Sequence, residues 1–416
     1  MSTLAILGGT SVRPDGYRTW PQHGEREAEA VADVVRSGVW GGHPAPAPKA
    51  AEFGQRFAAY QGARYGAVMM NGTVTLEVAL KALGIGWGDE VIVPAVTFEA
   101  TYYACIAAGA LPVIVDVTGR TLTLDPELAD AAITPRTKAI IPVHLGHHMA
   151  DMDRIKDVAD RHGLAVVEDS AHAHGQEWKG RGAGCIGEFG SFSHQSTKTL
   201  TAGEGGTLLT DDEHLYERAV SIVDCGRPKD RDEKEYTFGA NYRLGELHAA
   251  LLLAQLERFE EQRVQRETAA RYLEEQARRI PGVRLLPVDP RVSRWSFYQY
   301  ILAIEPEAFA GIGNDAVCRA LDAEGIPADT GFRSAADAEL FDISLSRLPV
   351  AVQYTDRLDR STMRFPVADR ITRREQVFLD HSMFLSGTEG VDDALEALAK
   401  VQAGAPELAA LEVSPA

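Results

Sequence analysis

Three short segments carry residue types that could do chemistry together. Lys198 lies in Phe192-Ser193-His194-Gln195-Ser196-Thr197-Lys198-Thr199, and Gly203-Glu204-Gly205-Gly206 follows it. A lysine among small hydroxyl residues, beside a glycine-rich return to a strand, is a candidate Schiff-base lysine. It must lose its proton to act as a nucleophile, and a partly buried cationic site promotes that loss. The bland alternative is a solvated loop lysine. The second segment is Glu168-Asp169-Ser170-Ala171-His172-Ala173-His174-Gly175. Asp169 ends an apolar run, where a buried carboxylate needs a partner such as a protonated ring nitrogen. His172 is close enough to share that site. Read alone, this cluster could be a metal site, or a capping Asp with two surface histidines. No third ligand stands at a typical spacing, so no metal is expected. The third segment, Asn71-Gly72-Thr73, falls between a predicted strand and a predicted helix. Free N–H groups and the positive dipole end at a helix start suit a phosphate. Gly72 would let the backbone approach closely and Thr73 could cap the helix, although an ordinary N-cap turn would read the same way.

The elements that must position these residues alternate. Strands are predicted at 65–70, 91–93, 112–117, 138–143, 164–168, 191–193 and 207–210, with helices at 73–83 and 152–162. Strands alternating with helices argue for an α/β sheet, and in such sheets ligands gather at the carboxyl ends of the strands. Beyond Arg243 the pattern changes. Leu244, Leu247, Leu251, Leu252, Leu256 and Phe259 are spaced for one face of a long helix, which Ile280-Pro281-Gly282 would stop. A strand over 297–304 and a helix over 314–324 follow. The expected organisation is a large domain over residues 1–255 and a smaller one over 256–416, with the Ala/Pro-rich stretch from Ala403 fraying.

Composition narrows the function classes. The chain has 416 residues, 45% hydrophobic and 25% charged, with a formal charge of −18. That is a soluble globular composition. The acidic balance argues against general nucleic-acid binding. No apolar run approaches the ~18 residues of a membrane span, so no membrane partner is expected. Four cysteines without a CxxC pair fit a reducing cytoplasm rather than a disulfide framework. Met1 to Gly9 lacks the basic leader and long apolar run of a signal peptide.

The order of the three segments, with Gly239-Ala240-Asn241-Tyr242-Arg243-Leu244 after them, resembles the DegT/DnrJ/StrS sugar aminotransferase family. These are fold type I enzymes that use pyridoxal 5′-phosphate (PLP), and the resemblance runs from Trp20-Pro21 to the region of His381. It implies a large domain with a mainly parallel central sheet and a smaller C-terminal α+β domain. It also implies that Lys198 bonds the cofactor and then shuttles a proton between the donor Cα and the cofactor C4′. Asp169 would pair with the pyridine nitrogen, and His172 would lie near the phenolic oxygen. Phe98, in Pro94-Ala95-Val96-Thr97-Phe98, matches the aromatic residue that stacks on the ring, with core packing as its alternative. Gly72, Thr73 and Ser193 would hold the phosphate. Asn241 matches a residue that reaches the neighbouring subunit's cofactor, so a homodimer with shared active sites is implied. Arg243 would bind a carboxylate or form a structural salt bridge. Trp40 would cover the substrate ring or pack in an interface.

Two features depart from the usual family pattern. His194 stands where an apolar residue is common, and could face substrate or fill space. Thr330-Gly331-Phe332-Arg333-Ser334-Ala335 lacks the Tyr-x-Pro-Leu type of sequence seen in nucleotide-sugar members. Gln195, His172 and Ala173-His174-Gly175 look more like the inosose aminotransferase and 3-amino-5-hydroxybenzoate synthase branches. The implied reaction is transfer of an amino group from L-glutamate or L-glutamine, through the pyridoxamine form, to a ketone on a polyhydroxylated six-membered ring. The product would be an aminocyclitol or amino sugar for a secondary metabolite. The alternatives are a nucleotide-diphosphate keto-deoxysugar aminotransferase, an aromatising dehydratase that uses the same lysine, and a regulatory protein that retains the fold.

Overall fold

A computed structural model describes residues 3–43, 47–228, 237–344 and 346–412. The predicted strands between Tyr65 and Thr210 are all present. They are β1 (Tyr65–Met69), β2 (Glu90–Pro94), β3 (Leu111–Val115), β4 (Thr137–Ile140) and β5 (Ala165–Asp169). A short hairpin of β6 (Glu177–Trp178) and β7 (Arg181–Gly182) follows, then β8 (Phe189–Ser193) and β9 (Gly206–Thr210). Apart from the hairpin they form one seven-stranded sheet in the order β1-β9-β8-β5-β4-β2-β3. From β8 to β3 each neighbouring pair is parallel, and β9 alone runs antiparallel, to both β1 and β8.

Parallel neighbours need crossovers, which pack helices on the sheet faces. The helices Gly72–Ala82, Ala100–Ala108 and Met152–His162 supply three of them. Their starts are chemically marked. The Asn71 side chain accepts the Val74 N–H at 2.9 Å, and that of Asp151 accepts the Arg154 N–H at 3.3 Å. With helices on its faces, the sheet needs near-continuous apolar strands, and β2, β8 and β9 are buried along their whole length.

A second, four-stranded sheet is antiparallel. Its strands are β10 (Val283–Leu285), β12 (Gln299–Ile304), β13 (Ala328–Asp329) and β14 (Gln376–Asp380), in the order β10-β12-β14-β13, while β11 (Val292–Arg294) pairs with β6. The fold class is therefore α/β with a mainly parallel central sheet and an α+β C-terminal part. The helix Glu246–Ala277 runs between the two cores. Leu252 and Phe259 pack with Phe53 and Phe57, whereas Ala269 and Leu273 pack with Phe297, Tyr300 and Phe309. Leu247, expected on the apolar face, is exposed. Among the described residues no helix is long and apolar enough to cross a membrane.

The C-terminal stretch corrects an expectation. Far from fraying at Ala403, the helix Gly387–Glu412 continues through Pro406. Val401, Ala405 and Leu408 are spaced for one face and are buried against the second core. That contact offsets the ~3 kcal/mol a proline costs inside a helix. The chain's start joins the same core, because Leu4 packs there. Its backbone is held by the buried carboxylate of Glu324, which accepts the N–H of Ala5 at 2.8 Å and of Val12 at 3.1 Å, and the Lys400 ammonium at 2.8 Å. Lys400→Met would leave that carboxylate without its cation. The variant should lose about 3 kcal/mol of stability, read as a lower urea midpoint.

Candidate active site

A cavity of about 480 Å³ opens at the carboxyl ends of the parallel strands. Asp169 is the last residue of β5, Ser193 the last of β8, and Gly72 and Thr73 open the helix that follows β1. All four line the cavity, together with Phe98, His172 and Lys198. Seven of the eight site residues expected from the sequence thus converge from four separate segments.

Asp169 is buried. Its Oδ2 accepts the Thr101 hydroxyl at 2.9 Å and its Oδ1 the Ala171 N–H at 3.2 Å. Burial pushes its pKa up, opposed by those two hydrogen bonds and by the charge of Lys198. A carboxylate in this position favours a cationic N–H facing it. The neighbouring Glu168 points the other way, as strand alternation requires. Its oxygens accept His144 Nε2 at 3.0 Å and the N–H groups of Gly184, Ile186 and Gly187 at 2.9, 2.6 and 2.8 Å. Burial alone would raise its pKa, but His144 and these N–H groups hold it below the usual carboxylate range.

Lys198 follows β8 in a turn whose N–H bonds the Gln195 carbonyl at 2.8 Å. Burial lowers its pKa to about 8, against the pull of Asp169. About a tenth of the amine is therefore neutral, and nucleophilic, at pH 7, far more than for an ordinary lysine. His172 Nδ1 accepts the Gly146 N–H at 3.2 Å, so the proton of the neutral ring sits on Nε2. Burial and then Lys198 keep this ring well below the usual histidine range. It can offer one N–H to an oxygen.

The phosphate cradle has the required free donors. Asn71 takes up the N–H of Val74 with its side chain and of Thr75 with its carbonyl. The N–H groups of Gly72 and Thr73, at the positive end of the helix, remain for an anion. A Cβ on Gly72 would lie 2.7 Å from Ser193 Cβ, so only glycine lets the helix start approach β8 this closely. A Cβ on Gly206 would lie 2.4 Å from the Asn71 carbonyl oxygen, which explains the glycine-rich entry to β9.

Other expected residues fall elsewhere. Asn241 is exposed and lies outside the cavity, paired through the backbone with Asp224. Arg243 forms an ion pair with Asp224. Trp40 is 60% exposed and does not line the cavity. His194 is buried away from substrate, bonded to the Leu200 carbonyl at 3.1 Å and the Thr207 hydroxyl at 2.9 Å, so it fills space. Phe98 is 48% exposed at the cavity wall, which excludes the core-packing alternative. Sequence reasoning missed Thr101, Tyr298 and Phe332. The Thr97-x-x-x-Thr101 spacing was a signal for the first, since its hydroxyls meet at 2.8 Å. Tyr298 and Phe332 arrive from the second half of the chain and carried no local signal.

The donor set fits one kind of group. A helix start takes a phosphate, a buried carboxylate takes a protonated ring nitrogen, and a partly neutral lysine takes an aldehyde. With the sheet topology, these define a fold type I PLP-dependent transferase. The chain belongs to the DegT/DnrJ/EryC1/StrS aminotransferase family, whose profile matches residues 21–379. It is 40% identical, over 96% of its length and 98% of the relative's, to a protein of Streptoalloteichus tenebrarius provisionally named L-glutamine:3-amino-2,3-dideoxy-scyllo-inosose aminotransferase. It is 36% identical, over 96% and 97%, to the L-glutamine:scyllo-inosose aminotransferase of Streptomyces griseus. Among solved structures it resembles 3-amino-5-hydroxybenzoic acid synthase, with a TM-score of 0.82 and 34% identity over 93% of this chain and 98% of that one. It also resembles the PLP form of Spr1654 of Streptococcus pneumoniae, provisionally named a sugar aminotransferase, with a TM-score of 0.78 and 26% identity over 92% and 98%. The protein is a PLP-dependent aminotransferase.

Two outcomes are expected from this geometry. Capture of PLP by the cofactor-free protein should accelerate with pH through a midpoint near 8, because only the neutral Lys198 amine attacks. The initial rate of appearance of the visible band measures it, and an ordinary lysine would place the midpoint above pH 10. Thr101→Val removes one of the hydrogen bonds that favour ionised Asp169. The variant should hold PLP about threefold to tenfold more weakly, read by cofactor titration.

Proposed function

We propose that this enzyme moves the amino group of L-glutamine to a ketone on a polyhydroxylated six-membered carbocycle of the inosose type, in the formation of an aminocyclitol for a secondary metabolite. The observation that carries the reading is the convergence of Lys198, Asp169 and the Gly72–Thr73 helix start on one cavity. The names of the relatives supply the donor and acceptor class. Among the described residues lining the cavity, Lys198 is the only lysine or arginine. That favours an uncharged acceptor over a nucleotide diphosphate, which would call for several cations.

When bound, PLP would supply an electron sink that lets a Cα–H bond break. Asp169 would keep the pyridine nitrogen protonated, and Gly72, Thr73 and Ser193 would bind the phosphate. His172 would offer its Nε2 proton to the phenolic oxygen, and Phe98 would pack against the ring. Lys198, as a neutral amine, would take the α-proton of the donor and return it on the cofactor side, and the reverse transfers would aminate the ketone.

The same proposal includes a homodimer in the cytoplasm. The exposed Trp40, Met70 and Phe238, the last 91% exposed, accompany the segment from Gly239 to Arg243. Met70 N–H donates to the Tyr242 carbonyl, and the Trp40 carbonyl accepts the Glu246 N–H. A second copy seated on this apolar face would bring Asn241 to the neighbouring cavity.

The likeness to 3-amino-5-hydroxybenzoic acid synthase keeps an aromatising dehydration as the second reading. One experiment separates the two. L-glutamine should bleach the visible band of the purified protein, and an inosose should restore it. Bleaching by neither L-glutamine nor L-glutamate favours the dehydratase. Lys198→Ala should remain folded while turnover drops by at least ~10³-fold; retained turnover would sink the assignment.

A further inference from the structure

Among the described residues, Lys198 Nζ has no hydrogen bond and no carboxylate within ion-pair distance. Its closest recorded partner is the face of the Tyr298 ring, 4.1 Å from Nζ to the ring centre. Tyr298 belongs to the other half of the chain. It immediately precedes β12, and its neighbours Phe297, Gln299 and Tyr300 are buried, which fixes its backbone.

The hydroxyl of the same residue lies 2.7 Å from Thr197 Oγ1. Thr197 spends its single hydroxyl proton on Gln195 Oε1, 2.7 Å away, so the Tyr298 O–H donates. Burial pushes the Tyr298 pKa up, so that proton is retained at neutral pH. Thr197 is anchored twice more. Its N–H donates to Gln195 Oε1 at 2.9 Å, and its carbonyl accepts His381 Nε2–H at 3.0 Å. Burial, then the nearby Arg266, hold His381 down to about 3, so it stays neutral and its role does not change across the working pH range.

We propose that Tyr298 is a positioning residue for Lys198, its ring supporting the amine between proton transfers and its hydroxyl fixing, through Thr197, the turn that carries the amine. The proposal rests on the aminotransferase reading. In that reaction Lys198 takes the α-proton of the donor, the bonding pair passing into the cofactor ring system, and returns the proton at C4′. When Nζ is charged, the ring face lies within cation–π reach and adds to the longer-range attraction of Asp169. When Nζ is neutral, the ring competes for none of its hydrogen bonds. A tilted ring contact of Tyr298 with His172, 4.4 Å between ring centres, holds both side chains against the cavity wall.

Two variants separate ring from hydroxyl. Tyr298→Phe keeps the ring and releases Thr197. Its kcat should fall about threefold to tenfold with KM within about twofold, the worth of one lost hydrogen bond. The isotope effect with α-deuterated L-glutamine should rise, because proton transfer becomes slower relative to other steps. Tyr298→Leu removes the ring as well. In cofactor-free protein, the pH midpoint for acetylation of Lys198 by limiting acetic anhydride, read by mass spectrometry, should fall by about one unit. The midpoint should stay put in Tyr298→Phe. Unchanged kcat and isotope effect in Tyr298→Phe overturn the proposal, and so does a midpoint in Tyr298→Leu that fails to fall. If Tyr298→Leu does not fold, the Tyr298→Phe arm decides alone. If wild-type protein ignores L-glutamine, the functional reading fails, while the acetylation midpoints still report on Tyr298.

Discussion

Two adjacent buried carboxylates at the end of one strand constrain much of this active site. Glu168 and Asp169 sit side by side in β5, and strand alternation sends them to opposite faces. Each must find partners, since a buried charge without them costs several kcal/mol. Glu168 finds them inside the protein, in His144 and three backbone N–H groups. It thereby pins the loop between β7 and β8 and sets the path of the strand that ends at Ser193. Asp169 is left partly unsatisfied, with a threonine hydroxyl and one N–H. The remaining affinity is directed into the cavity, where a pyridinium fits. Glu168 is satisfied within the protein, while Asp169 keeps hydrogen-bonding capacity facing the cavity.

Close backbone approach is the second constraint. The phosphate site needs a helix start, the end of β8 and the entry to β9 within contact of each other. Gly72 against Ser193 and Gly206 against Asn71 make this possible, at separations that any Cβ would violate. The antiparallel β9 follows from the same requirement. It returns the chain beside β8 directly after the Lys198 turn, so the lysine projects from a short connection held at both ends.

The two halves of the molecule meet at that turn. Tyr298, preceding β12, and His381, following β14, both bond to Thr197. The long helix Glu246–Ala277, shared between two cores, ties the halves along another line. Movement of the second sheet relative to the first would be felt at the lysine through these contacts.

The amino-acid sequence by itself determined the strand and helix alternation, and it singled out Lys198, Asp169, His172 and the Gly72–Thr73 turn as candidates, although it offered Thr73 as the cap where the structure uses Asn71. These are local features. A strand declares itself by its run of apolar residues, and a candidate Schiff-base lysine by its small neighbours and a glycine-rich return. Tertiary structure alone decided the features made by contacts between distant segments. The Ala403 stretch was expected to fray because its composition is that of a loose end, yet burial of Ala405 and Leu408 keeps it helical. His194 offered two readings until its ring was found bonded between Leu200 and Thr207. Thr101 and Tyr298, which meet Asp169 and Lys198 across 68 and 100 residues of chain, had no neighbourhood in the sequence to announce them. Short-range chemistry is written in consecutive residues, whereas the pKa and aim of a side chain depend on whatever the fold packs against it.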